Sequence, residues 1–88
     1  METPEICKKI AEVIPKKLDD VFYVEERLEN IGINAKFLNR MSIYPHIYYY
    51  YLINNKYIMH LYFKDKELKY IAIYIERPQK DTICEMDL

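Results

Sequence analysis

The chain has 88 residues, of which 51% are hydrophobic and one is glycine, so it suits a single folded domain and not a disordered segment. No run approaches the roughly 18 uncharged apolar residues of a membrane span, and the acidic start of the chain does not fit a signal peptide. We therefore expect a cytoplasmic protein that does not contact a membrane. The net charge of −1 gives no overall attraction to nucleic acid.

The charge is distributed unevenly along the chain. Residues 1–31 carry five basic and eight acidic side chains, and residues 78–88 carry one basic and three acidic, so both ends are acidic. Residues 32–77 carry seven basic and three acidic side chains, so the central part is basic. Opposite patches of this kind can pair between two copies of one protein. The composition is rich in Ile, Tyr, Lys and Glu and poor in Gln, which is typical of thermophilic proteins.

The first helix is predicted over residues 3–14. Thr3 suits the N-cap, and Pro4 suits the first helical position. Pro15 disfavours helical geometry in the residue before it, so it ends or kinks this helix. Apolar side chains recur at three- and four-residue steps, which indicates one buried face. The residues of that face are Ile6, Ile10, Val13 and Ile14.

A second helix is predicted from Pro15 or Lys16 to about Asn30, with Asp20 as the cap of a shorter alternative. Gly32 follows the end of this helix, where a residue with left-handed backbone geometry commonly stops the helix. The apolar positions again follow a helical period. They are Leu18, Val21, Phe22, Leu28 and Ile31.

The remainder of the chain is predicted to form strands. Residues 34–44 alternate between apolar and polar side chains, which indicates a half-exposed edge strand that ends at Pro45. Residues 46–76 contain three apolar runs separated by Asn54-Asn55 and by Lys64–Glu67, which is typical of a β-meander.

The loop after the first run of the meander decides which side chains share a face. A two-residue loop, Asn54-Asn55, places Tyr51 opposite Ile58, and a three-residue loop that includes Lys56 moves the first run to the other face. With the shorter loop one face is rich in isoleucine, and we expect it to meet the helices. The other face is rich in tyrosine, and both faces stay apolar with either loop.

Two short helices can cover one face of a small sheet but not both. A large apolar face is rarely left in water, so we expect a second copy, the C-terminal tail or a ligand to cover the remaining face. Because tyrosine is common in interfaces, the Tyr-rich face is the predicted binding surface. The residues predicted to bind a partner are Tyr48, Tyr50, Tyr57, Leu61, Tyr70 and Tyr74.

The periodic pattern stops after Pro78, which predicts a domain of residues 1–78 and a tail of residues 79–88. The tail is loose, adds a short strand over Thr82 to Met86, or lies back on the body of the domain, held at Cys84. The two cysteines, Cys7 and Cys84, are either buried thiols or a disulfide that ties the tail to the first helix.

The sequence offers little that is typical of catalysis. Ser42 is the single serine, and the two histidines, His46 and His60, either point to opposite sides or, with the longer loop, lie roughly 13 Å apart. Glu25 and Glu29 are one helical turn apart, but a solvated helix face is commoner than a divalent-ion site. We therefore expect no catalytic residue, metal or cofactor, and an enzyme subunit that binds a metal or ligand is the weakest alternative.

Single-stranded nucleic acid is the main alternative partner. Nine of the ten tyrosines lie between Tyr44 and Tyr74, and tyrosines on an open sheet can stack on bases. Lys36, Arg40 and Lys69 would contact the phosphates. Several basic side chains lie in turns or beside acidic ones, so a protein interface is the simpler use of the tyrosines.

These patterns predict an α+β fold with two N-terminal helices on one face of a three- or four-stranded antiparallel sheet. The predicted function is a non-enzymatic accessory or regulatory module that binds proteins. We expect it to form a homodimer through the Tyr-rich face or an exposed strand edge, with another protein as a further candidate partner.

Overall fold

The computed structural model describes residues 5–76 and 80–88. These described residues form one five-stranded antiparallel sheet, in the order β1-β2-β3-β4-β5, with helices packed on one face. The predicted α+β class is confirmed, although the sheet has five strands and not three or four. The elements are α1 (Glu5–Val13), a 3-10 helix (Leu18–Tyr23), α2 (Val24–Glu29), β1 (Ala35–Ile43), β2 (His46–Ile53), β3 (Tyr57–Lys64), β4 (Glu67–Glu76) and β5 (Lys80–Asp87).

Some predictions fall outside the described residues. These are the N-cap at Thr3, the first helical position at Pro4 and the domain boundary at Pro78.

The second predicted helix is shorter than expected and begins as the 3-10 helix. Lys17 is extended, with φ −113° and ψ 141°. The backbone N–H of Leu18 donates to the carbonyl of Lys66, and the N–H of Leu68 donates to the carbonyl of Lys16, both at 2.8 Å. Because these bonds pair residues 16–18 with the start of β4, the helix cannot begin before Leu18.

Gly32, which the sequence marks as a helix stop, lies three residues after the end of α2. Gly32 has a φ of +80°. Its N–H donates to the carbonyl of Glu29 at 3.0 Å, and the N–H of Ile33 donates to that of Leu28 at 2.9 Å, which is a Schellman motif. A β-carbon at Gly32 would meet nothing within 4 Å. The backbone conformation, and not the available space, therefore favours glycine.

We expect Gly32→Ala to lower the free energy of unfolding by about 1 kcal/mol, because alanine is strained at positive φ. Urea denaturation followed by circular dichroism measures the change. Gly32→Asn should lose less, since asparagine tolerates this geometry. An alanine variant as stable as the original protein would contradict the assignment of the Schellman motif.

The loop between β2 and β3 has three residues, so the longer of the two loops considered from the sequence is the one present. Ile53 pairs with Tyr57 across it, and Asn54 and Asn55 have positive φ of 51° and 54°. The backbone N–H of Asn54 donates to the carbonyl of Asn34 at 2.8 Å, and its side-chain oxygen accepts the N–H of Asn34 at 2.9 Å. The loop is thus held against the start of β1.

A β-bulge in β4 causes a second departure from the predicted register. The turn Lys64–Glu67 has the even length that the sequence predicts. The register then shifts by one residue at Lys69, so that Tyr62 pairs with Tyr70, whereas an unbroken register would pair Leu61 with Tyr70. Relative to β3, the rest of β4 therefore presents the opposite faces from those predicted, and Tyr70, Ala72 and Tyr74 share a face with Tyr62 and not with Leu61.

Strand β5 occupies most of the segment that the sequence predicts as a tail. It pairs with β4, with Cys84 opposite Ile73. A disulfide joins Cys7 of α1 to Cys84, across a sequence separation of 77. Of the two alternatives for the cysteines, the disulfide is therefore the one present, and the segment belongs to the sheet as its fifth strand.

The core lies between the helices and one face of the sheet. The largest cluster of buried side chains joins both layers, and most of its members are fully buried. They are Cys7, Ile10, Ile14, Val24, Leu28, Ile33, Tyr51, Ile53, Met59, Leu61, Phe63, Leu68, Ile71 and Ile73. Because side chains alternate along a strand, their neighbours in β2, β3 and β4 point to the opposite face.

Candidate functional site

The face of the sheet opposite the helices is the candidate site, and we call it the aromatic face. Cross-strand pairing places its side chains beside one another in rows across β2, β3 and β4. All are partly exposed except Ala72, which is buried. The aromatic face consists of His46, Tyr48, Tyr50, Leu52, Ile58, His60, Tyr62, Tyr70, Ala72 and Tyr74.

The rings at the centre of this face pack on each other. Tyr50 stacks on His60 with 4.8 Å between ring centroids, and Tyr48 stacks on Tyr62 at 5.1 Å. Tyr48 also lies 5.5 Å from His60, and His60 meets Tyr70 edge-on at 6.0 Å. These contacts restrict the rings before any partner arrives, which lowers the entropic cost of binding.

The two histidines share this face but do not meet. His46 Nδ1 and the Tyr62 hydroxyl share a hydrogen bond of 2.6 Å. His60 pairs with Tyr50, four residues along β2 from His46, which corresponds to roughly 13 Å. Within the described ranges, no group of three or more His, Cys, Asp or Glu side chains is placed to hold a metal ion.

The β5 border of the aromatic face is acidic. Glu85 lies opposite Ala72, and Asp87 lies opposite Tyr70. Burial raises the pKa of the Tyr70 hydroxyl, and Glu85, which accepts its hydrogen bond, and Asp87 raise this pKa further. The sequence did not indicate this border because it left open whether the segment is a loose tail or a strand of the sheet.

The structure separates the six residues that the sequence assigns to partner binding. Tyr48, Tyr50, Tyr70 and Tyr74 lie on the aromatic face. Leu61 is 0% exposed in the core.

Tyr57 also lies on the helix side, where it packs against the core. The ammonium of Lys56 lies 5.3 Å from its ring centroid. The three-residue loop and the bulge at Lys69 place Tyr57 and Leu61 on the helix side. Ile58, His60 and Tyr62 of the same strand lie on the aromatic face instead. The longer loop considered from the sequence is the signal that identifies these three residues.

The basic residues assigned to nucleic-acid binding do not converge. Lys36 lies opposite Leu52 and borders the aromatic face. Arg40 lies opposite Tyr49 on the helix side, where its Nε donates to the Tyr49 hydroxyl at 3.0 Å. Lys69 donates to the Glu67 carboxylate at 3.3 Å.

Strand β1 extends the aromatic face with exposed apolar side chains. Met41 lies opposite Tyr48 and is 46% exposed, and Ile43 lies opposite His46 and is 63% exposed. Such exposure of large apolar side chains next to an aromatic surface is typical of a binding site.

The backbone edge of β1 is partly closed to strand addition. The N–H of Phe37 donates to Glu25 Oε1 at 2.9 Å, and the N–H of Arg40 donates to Asn39 Oδ1 at 2.8 Å. A bulge at Leu38 also interrupts the strand. Proteins protect sheet edges by such devices. On the β1 side of the sheet, the aromatic face is therefore more accessible to a partner than the strand edge.

No protein-family model, curated protein or solved structure matches this chain. Among the residues that the structure describes, no helix has the length and apolar character needed to cross a membrane.

Proposed function

We propose that this protein is a non-enzymatic interaction module that forms a homodimer through the aromatic face. The observation that supports it best is the continuity of this face with Met41 and Ile43, which are exposed at 46% and 63%. Burying a surface of this kind against a second copy removes apolar area from water, at about 25 cal/mol per Å². The stacked rings add a rigid centre to the contact.

The charges at the two borders of the face suit a symmetric dimer. Lys36 lies on the β1 border, and Glu85 and Asp87 lie on the β5 border. When two such sheets pack face to face about a two-fold axis parallel to the strands, β1 of one copy lies over β5 of the other. Opposite charges then meet at both ends of the interface.

Light scattering on the purified protein tests the proposal. We expect twice the mass of the chain, and we expect Ile43→Lys to weaken the dimer by about tenfold or more, because it places a charge in an apolar contact. Phe22→Lys is the matched control, since Phe22 is 72% exposed on the helix side and should leave the dimer intact.

A monomeric original protein would refute the homodimer. If Ile43→Lys and Phe22→Lys leave the dimer equally strong, the protein associates through another surface. Ile43 is exposed in the single chain, so its substitution should not disturb the fold, and circular dichroism checks this directly.

Single-stranded nucleic acid is the second candidate partner, supported by the stacked tyrosines and by Lys36 at their border. The acidic side chains of Glu85 and Asp87 oppose it. Fluorescence anisotropy with a labelled single-stranded oligonucleotide at low salt separates the two functions. Binding that weakens with salt and is lost in Tyr48→Ala would favour nucleic acid over self-association.

We also propose a cytoplasmic location in a thermophile. Disulfides are rare in ordinary cytoplasm but common inside hyperthermophilic cells. The Cys7–Cys84 disulfide and the composition rich in Ile, Lys and Glu are compatible with that source.

A further inference from the structure

A groove on the helix side of the molecule is separate from the aromatic face. It lies between α2 with its preceding 3-10 helix and the strands β1 and β2, and its volume is about 320 Å³. That volume is at the lower end of the range for small-molecule sites. Its lining residues are Val21, Phe22, Glu25, Phe37, Tyr49 and Tyr51. We call it the α2–β1 groove.

Three aromatic rings form the sheet wall of this groove. Phe37 meets Tyr51 edge-on at 5.9 Å and Tyr49 at 6.3 Å, measured between ring centroids. The rings of Tyr49 and Tyr51 are nearly parallel, with 17° between their planes. Phe22 lines the helix side and is 72% exposed. The groove thus has aromatic rings on both its sheet side and its helix side.

The groove also carries negative charge. Glu25 lines it, and the N–H of Phe37 holds Glu25 Oε1 at 2.9 Å, so the carboxylate is fixed beside the rings. Burial raises the pKa of the Tyr51 hydroxyl, and Tyr49 and Glu25 raise this pKa further. The Glu25 carboxylate therefore favours a cation over an anion in the groove.

One of the rings that line the groove already contacts a cation, although Arg40 itself is not among the lining residues. The guanidinium of Arg40 lies 5.7 Å from the ring centroid of Tyr49. The electron-rich faces of aromatic rings attract such groups. Tyr49 therefore shows within this molecule the contact that a bound organic cation would make.

We propose that the α2–β1 groove binds a small organic cation of the quaternary ammonium type. Such a cation spreads its charge over methyl groups and needs no hydrogen-bond acceptors, so ring faces and one carboxylate satisfy it. A hard divalent metal ion needs six or more oxygen ligands. Glu25 is the one carboxylate among the residues that line this groove, so the groove does not suit such an ion.

Titration with choline chloride tests the proposal by nuclear magnetic resonance. Binding should shift the N-methyl protons of choline upfield, because they enter the ring currents of Phe37, Tyr49 and Tyr51. It should also shift the ring resonances of those residues. We expect a dissociation constant on the order of 1 mM, since the groove is open to solvent. The neutral isostere 3,3-dimethylbutan-1-ol should bind about fivefold or more weakly.

Two pairs of variants measure separately how much the Glu25 charge and the aromatic rings contribute to choline binding. Glu25→Gln keeps the acceptor for the Phe37 N–H and should weaken choline binding about threefold, whereas Glu26→Gln on the same helix should not. Phe37→Leu should weaken it about fivefold, whereas Tyr44→Leu, a change to an 84% exposed aromatic outside the groove, should not.

Two outcomes would overturn the proposal. One is equal affinity for choline and its neutral isostere, which would mean an apolar groove without preference for charge. The other is the absence of any shift at Phe37, Tyr49 and Tyr51 in the original protein. Neither outcome requires a variant to fold, and neither depends on whether the protein forms a dimer.

Discussion

We expect Leu61→Ala to lower the free energy of unfolding by about 3 kcal/mol. Leu61 is 0% exposed in the core cluster, between the helices and the sheet. Replacing a fully buried leucine with alanine removes apolar contacts and leaves a cavity, which typically costs about 2–5 kcal/mol. The sequence interpretation placed the same side chain in the partner-binding face, where its loss would weaken association and leave the single chain stable.

The matched control is Leu52→Ala, which makes the same change on the aromatic face. Leu52 is partly exposed, so we expect a loss of about 1 kcal/mol. Urea denaturation at one fixed protein concentration compares both variants with the original protein. Equal losses for the two variants would mean that the register of β3 is wrong. A stable Leu61→Ala variant that no longer associates would restore the face predicted from the sequence.

The elements were predictable because their signals are local. The apolar spacing of Ile6, Ile10 and Val13 indicates α1, and Gly32 marks the end of α2. The alternation in residues 34–44 and the two polar turns of the meander indicate four strands. Each of these signals lies within a few residues of the structure that it predicts.

The face of the sheet to which each strand side chain points was not predictable from such local signals. A shift of one residue exchanges the two faces of a strand, and both faces of this meander are apolar. The three-residue loop at Asn54–Lys56 changes which side chains of β2 and β3 share a face of the sheet. The bulge at Lys69 does the same for β3 and β4. The two shifts cancel between β2 and β4. The even-numbered side chains of both strands therefore share a face, as the sequence predicts.

Of the residues predicted to bind a partner, only those of β3 were therefore assigned to the wrong side, so Leu61 and Tyr57 leave the candidate site and Tyr62 enters it. The α2–β1 groove was not predictable because it joins Glu25 and Phe22 to Tyr49 and Tyr51 of β2. No repeating pattern connects residues that lie more than 20 positions apart. For the same reason the sequence left open whether residues 79–88 form a strand, since the partners of β5 are β4 and Cys7.

The second large effect that we expect is the loss of stability when the Cys7–Cys84 disulfide is reduced. The disulfide closes a loop with a sequence separation of 77 between α1 and the edge strand β5. Cross-linking so long a loop restricts the unfolded chain, and the loss on reduction should be about 4 kcal/mol. That is a large part of the stability of a domain of this size.

Comparing oxidised and reduced protein keeps both cysteine side chains in the molecule, so the difference in stability reports the cross-link itself. The double variant Cys7→Ala/Cys84→Ala should lose slightly more, because Cys7 is 0% exposed and the smaller side chain leaves a gap. Adding reductant should not change the stability of this variant. A midpoint of denaturation that is the same with and without reductant would contradict a stabilising role for the disulfide.

Amide hydrogen exchange locates the effect within the sheet. β5 pairs with β4 along one side and is tied to α1 by Cys84. After reduction, we expect the amides of Ile83 and Met86 to exchange faster than those of Met59 and Leu61, because an edge strand can open locally while the centre of the sheet stays closed. The border formed by Glu85 and Asp87 would then loosen, so reduction should also weaken self-association through the aromatic face.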